Sequence, residues 1–93
     1  MTLKTIALLG STGSIGTSTL DIVKKTKKFK VVLIMANSNF LKITSQIKIF
    51  KPKIVIVSDI KVFLKIKKIV EFKKIIILNN INNINNYIKK IDI

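Results

Sequence analysis

The sequence predicts a doubly wound, parallel α/β sheet, and three observations carry that prediction. Its apolar residues fall in short continuous runs instead of alternating with polar ones, as in strands whose two faces are both covered by helices. Between the runs lie stretches with apolar residues three and four apart, the spacing of a helix with one buried face. All three glycines fall within residues 10–16, where the first apolar run gives way to the first helical stretch. At 93 residues the chain makes one domain, residues 1–93, at the small end of the usual range. Its apolar fraction of 48% supplies a core, but so short a chain buries a smaller share of its surface than a typical domain.

The elements follow in order. Residues 5–9 (TIALL) form an apolar run ending at a glycine, a buried strand. Residues 14–26 carry Ile15, Thr19, Ile22 and Val23 at helical spacing, with Lys24 and Lys25 in the last turn, where cations suit the helix dipole. Residues 30–36 (KVVLIMA) are a second strand, rich in β-branched residues and broken by Asn37-Ser38-Asn39. Residues 40–50 place Phe40, Ile43, Ile47 and Phe50 on one helical face, and Pro52 ends that helix. Residues 53–58 (KIVIVS) are the third strand. Asp59 is an N-cap for a helix over residues 60–71, with Val62, Phe63, Ile66, Ile69 and Val70 on its apolar face. Residues 74–78 (KIIIL) are the fourth strand. The isoleucine- and asparagine-rich tail admits a short helix over residues 84–90. The order is β-α-β-α-β-α-β-(α), and right-handed crossovers restrict its topology.

Composition removes several classes of function. Cysteine and histidine are both absent, so there is no disulfide framework, thiolate metal site or imidazole base. The net charge is +14, all of its cations lysine. Such a balance ordinarily points to nucleic acid or an anionic surface. Here isoleucine, lysine and asparagine fill about half the chain, and all three have A/T-rich codons. Arginine, the better phosphate and guanine reader, is missing, and the lysines are scattered. No specific nucleic-acid partner is therefore expected. No run reaches the roughly 18 apolar residues of a membrane span. The chain enters its first strand without room for a leader peptide, so a cytoplasmic location is expected and no membrane partner.

Gly10, Gly13 and Gly16 form G-x-x-G-x-x-G, directly after the first strand and opening the first helix. That is the setting of a dinucleotide-binding turn in a Rossmann-like fold. Gly10 can turn the chain off the strand. Gly13 lets a pyrophosphate approach the backbone, and Gly16 lets the helix lie close to the sheet. Unpaired N–H groups of the helix start then face the phosphates, with Ser11, Thr12 and Ser14 adding hydroxyl donors. The alternative is an ordinary tight βα turn. A nucleoside-triphosphate loop fits less well, because Thr17 stands where that loop needs lysine.

The end of the second strand separates the cofactors. NAD-binding folds place a carboxylate there for the ribose hydroxyl. This chain has Asn37, Ser38 and Asn39, which can donate to a 2′-phosphate, and Lys42 one turn further on. NADP is favoured over NAD. On this turn alone a plain polar loop serves equally well, since Asn and Ser are common turn residues; beside the glycine turn the cofactor reading leads.

Residues 8–23, "LLGSTGSIGTSTLDIV", closely resemble the start of the 1-deoxy-D-xylulose 5-phosphate reductoisomerase family, and residues 29–39, "FKVVLIMANSN", are similar to its second strand and turn. Beyond Pro52 the likeness is one of pattern. The resemblance implies that Thr12, Gly13, Ser14 and Ile15 contact NADPH, and that the turn at Asn37, Ser38 and Asn39 holds the adenosine 2′-phosphate. Asn37 stands where many members have glycine. The resemblance also implies a divalent metal (Mg or Mn), a sugar-phosphate substrate and a homodimer for the full-length enzyme. It implies no catalytic and no metal-binding residue in this chain. Asp21, Asp59, Glu71 and Asp92 are its only acids, none with a second acid at metal-ligand spacing. The sheet is then expected to be incomplete at its C-terminal side, with the catalytic and C-terminal domains absent.

Two functions follow. In one, the chain is the NADPH-binding part of an enzyme converting 1-deoxy-D-xylulose 5-phosphate to 2-C-methyl-D-erythritol 4-phosphate in non-mevalonate isoprenoid biosynthesis, inactive by itself. In the other, it is a non-catalytic truncated remnant or a basic module binding polyanions without specificity.

Overall fold

The structure, a computed structural model, describes residues 4–82. Strand β1 (Lys4–Leu9) leads into helix α1 (Ser14–Thr26), β2 (Phe29–Ala36), α2 (Phe40–Phe50), β3 (Ile54–Val57), α3 (Ile60–Lys67), a single 3-10 turn (Val70–Phe72) and β4 (Ile76–Leu78). The helix expected over residues 84–90 lies outside the described residues, as does Asp92.

The four strands pair in parallel in the order β1-β2-β3-β4. Because that order follows the chain without reversal, right-handed crossovers carry every helix to the same face. Leu20 and Val23 of α1, Ile43 and Ile47 of α2 and Ile66 of α3 accordingly share one core with Val31, Ile34, Ala36, Val55, Val57 and Ile77. Val32, Leu33, Ile54, Ile56 and Leu78 form a second cluster on the other face, made of strand side chains alone among the described residues. The parallel α/β class holds. The reversal of strand order that winds helices onto a second face is not among the described residues.

In β2 the register shifts opposite Ile6 and Ala7, so that Val31 pairs with Ile6 and Leu33 with Ala7. Val32 is the extra residue, a bulge of a kind uncommon in parallel pairs. It puts Val32 and Leu33 into the same cluster and returns Ile34 to the helical face.

Two sequence expectations are corrected. On α1 the buried positions are Gly16, Leu20 and Val23. Ile15 is 84% exposed and Ile22 57%, so they flank the buried stripe instead of forming it. The helix expected over residues 60–71 stops at Lys67, and Ile69 is extended before the 3-10 turn. An unbroken helix would bring Lys73, not Phe72, onto the face of Ile66. The break buries Phe72, which is 5% exposed, at the expense of one helical turn. Glu71 thus lies in the 3-10 turn and is exposed.

Candidate functional site

The β1–α1 turn is set by main-chain hydrogen bonds. Gly10 has φ +74°, a conformation that strains any residue with a Cβ. Its N–H and that of Ser11 both donate to the carbonyl of Met35 near the end of β2, at 2.7 and 3.0 Å. The Gly10 carbonyl accepts from Gly13 N–H at 3.1 Å, closing a four-residue turn with Ser11 and Thr12 at its centre. The Gly13 carbonyl then accepts from Thr17 N–H and Thr17 Oγ1, both at 2.8 Å, and α1 begins.

The three glycines differ in what they do. A Cβ on Gly16 would strike the Gly10 carbonyl oxygen and come within 2.8 Å of Ser11 Cα. The close approach is therefore between the first helical turn and the β1–α1 turn itself, not between helix and sheet strands. Gly13 has φ −75°, open to any residue, and a Cβ there would touch only Gly10 O at 3.5 Å. Its bareness leaves an exposed patch of backbone. Gly13 is also the N-cap of α1, and no described side chain caps that helix. By contrast, Asn39 Oδ1 accepts from Lys42 N–H at 3.2 Å to cap α2, and Asp59 Oδ1 accepts from Val62 N–H at 3.1 Å to cap α3. The first-turn donors of α1 (Ser14, Ile15 and Gly16) are the ones left without an acceptor among the described residues.

Ser11 corrects the sequence reading. It is fully buried, and its Oγ has no partner among the described residues. It lies beneath the mouth of the turn and does not offer a hydroxyl there. Thr12 is half-buried, and Gly13, Ser14 and Ile15 are exposed.

The polar turn after β2 lies beside this loop, since the Met35 carbonyl that anchors Gly10 and Ser11 is two residues before Asn37. Asn37, Ser38 and Asn39 are all exposed. Asn37 Oδ1 accepts from Ser58 Oγ at 2.8 Å, which leaves its Nδ2 as the outward donor. Asn39 spends its Oδ1 on the α2 cap and likewise keeps Nδ2. Although Asn37 stands where many family members have glycine, it has no positive φ; the described non-glycine residues that do are Lys27 and Lys51. Ser58 continues the polar row at the end of β3, and Asn79 Nδ2, at the end of β4, donates to the carbonyls of Val57 and Ser58 at 2.9 and 3.1 Å. Sequence reasoning missed Ser58 and Asn79, yet each follows a strand as Asn37 follows β2. It also missed Gln46, a polar residue within the apolar stripe of α2, whose Nε2 donates to the Ser11 carbonyl at 2.8 Å.

The described acids are engaged elsewhere. Asp21 pairs with Lys25 at 3.1 Å, Asp59 caps α3, and Glu71 is in the 3-10 turn. Among the described residues no three His, Cys, Asp or Glu side chains gather as a metal site would require. No described helix is long and apolar enough to cross a membrane. The site is thus a row of strand-end loops offering N–H and amide donors, with Asp59 of the β3–α3 loop bordering it and its Oδ1 taken up by the α3 cap: an arrangement for holding an extended anion beside the β1–α1 and β2–α2 turns.

Comparison with known proteins gives that anion a context. A family model described as 1-deoxy-D-xylulose 5-phosphate reductoisomerase matches residues 6–93. The reductoisomerase of Pelagibacter ubique is 43% identical over 84 residues, 89% of this chain and 22% of that protein. The chloroplastic enzyme of Mentha piperita is 47% identical over 66 residues, 70% of this chain and 14% of that protein. This chain therefore spans about a fifth or less of the curated relatives it matches. The structure of the Zymomonas mobilis reductoisomerase in complex with NADPH superposes with a TM-score of 0.74 at 26% identity, covering 83% of this chain and 21% of that one. A reductoisomerase in complex with NADPH, fosmidomycin and magnesium superposes with a TM-score of 0.77 at 26% identity, over 88% of this chain and 21% of the other.

Proposed function

This chain belongs to the 1-deoxy-D-xylulose 5-phosphate reductoisomerase family, and from that membership we propose that its β1–α1 turn holds the pyrophosphate of NADPH. The observation that carries the reading is the uncapped first turn of α1, pressed against the Gly10–Ser11 backbone at Gly16. Ser14, Ile15 and Gly16 supply main-chain donors there, Gly13 leaves the backbone bare for the approach, and Thr12 adds its hydroxyl at the rim. Asn37, Ser38 and Asn39 receive the 2′-phosphate through their outward amides and hydroxyl, with Lys42 adding charge. Ser11 and Gly10 shape the turn through their own hydrogen bonds and make no contact through a side chain.

NADPH, when bound, supplies the hydride; the work of this chain is to bind and orient it. Residues 1–93 form the start of a cofactor-binding domain. The whole enzyme, by this reading, is a cytoplasmic homodimer that converts 1-deoxy-D-xylulose 5-phosphate to 2-C-methyl-D-erythritol 4-phosphate with a divalent metal. By this reading the acid, base and metal ligands of that isomerisation are contributed from outside residues 1–93. The 93-residue chain by itself is expected to show no reductoisomerase turnover, checked by NADPH oxidation with the sugar phosphate present.

A fluorescence titration with NADPH and with NADH, each at low and high salt, tests the cofactor reading. Saturable NADPH binding that exceeds NADH binding and persists in salt is expected. Equal, weak binding to both, abolished by salt and matched by heparin, would instead mean that only the diffuse lysine charge is at work.

A further inference from the structure

We propose that Gln46 is a positioning residue for the NADPH site, holding the β1–α1 turn in its binding shape from helix α2; this rests on the cofactor reading above. Gln46 is 8% exposed, on the stripe of α2 that carries Ile43 and Ile47. Its Nε2 donates to the Ser11 carbonyl at 2.8 Å across 35 residues of sequence. Ser11 is thereby held on both sides: its N–H is bound to Met35 of β2 and its carbonyl to Gln46 of α2. The peptide that Gln46 grips is the Ser11–Thr12 link at the centre of the turn, whose orientation sets where the Thr12 N–H points. Because α2 starts at the Asn39 cap, one rigid helix joins the turn that meets the 2′-phosphate to the turn that meets the pyrophosphate.

The energetics argue against a purely structural part. Gln46 Oε1 and Ser11 Oγ are both buried without a partner among the described residues. An unpaired buried polar atom is a cost, and an apolar side chain of similar size would remove the one on Gln46 while leaving the Ser11 carbonyl without its donor, so the two changes offset each other in stability. The amide brings one useful donor into the core at the expense of an unused acceptor. That exchange makes sense where the orientation of the gripped peptide matters more than stability.

Gln46→Met keeps the volume and removes the donor. In the 93-residue chain it is expected to fold, with its melting temperature within a few degrees of the parent, while NADPH binds about tenfold more weakly, the effect of roughly one hydrogen bond. Binding of adenosine 2′-monophosphate, which lacks the pyrophosphate, is expected to change little. In the ligand-free variant the backbone amides of residues 10–13 should show lower NMR order parameters than in the parent. Unchanged order there, or unchanged NADPH affinity, overturns the proposal. A wild-type chain that binds no NADPH overturns the cofactor reading, and with it the role given to Gln46. If the variant does not fold, the wild-type chain still decides. The Gln46 side-chain amide protons must exchange slowly and shift on NADPH addition; fast exchange or an unmoved resonance overturns the proposal.

Discussion

Gly10, Gly13 and Gly16 look alike in the sequence, and three different physical demands keep them. Gly10 is required by its backbone angle, Gly16 by a backbone contact, and Gly13 by neither. Gly16→Ala should therefore displace the turn, lower stability by about 1–3 kcal/mol and abolish measurable NADPH binding. Gly13→Ala should melt like the parent yet bind NADPH more weakly, because only the ligand needs that surface bare. Thermal melts and titrations of the two variants check the contrast, and matched behaviour would mean that the turn is not the binding surface. The spacing G-x-x-G-x-x-G made the turn legible. It could not reveal that Ser11 points inward, since that depends on Gln46 and Met35, distant in sequence.

Helix starts were easier to read than helix ends and faces. Asp59 was legible as a cap because a short acceptor before an apolar periodic stretch has few other uses. Asp59→Ala should cost about 1 kcal/mol, seen as a lower denaturant midpoint with an unchanged slope, without altering NADPH affinity. The stop after Lys67 was hidden, because Ile69 and Val70 continue the helical pattern and only the burial of Phe72 breaks it. The buried face of α1 is hard to read from sequence for a related reason. Val23 is buried as its spacing predicts, but Ile15 and Ile22 are as apolar as Leu20, and Gly16, which must face inward, turns the buried stripe toward Leu20. The Val32 bulge was also illegible, since a strand that is apolar at every position carries no alternation to mark a slip.

For the whole molecule, the class and the order of elements followed from the apolar runs, whereas the pairing of strands did not. If NADPH binds the folded chain alone, a concentration of a hundred times Kd should stabilise it by about 2.7 kcal/mol, read as a rise in melting temperature that equimolar NADH does not match. The strand order β1-β2-β3-β4 has a consequence for how such a chain comes into being. Every described strand after the first joins the edge left by its immediate predecessor, so pairing of these strands never waits for a distant one. A ribosome releasing this sequence from its N-terminus would deliver each βα unit just as its place becomes free, and synthesis and assembly could proceed in step. The turn proposed to hold NADPH begins in the β1–α1 unit and is completed by Met35 and Gln46 of the β2–α2 unit that follows it.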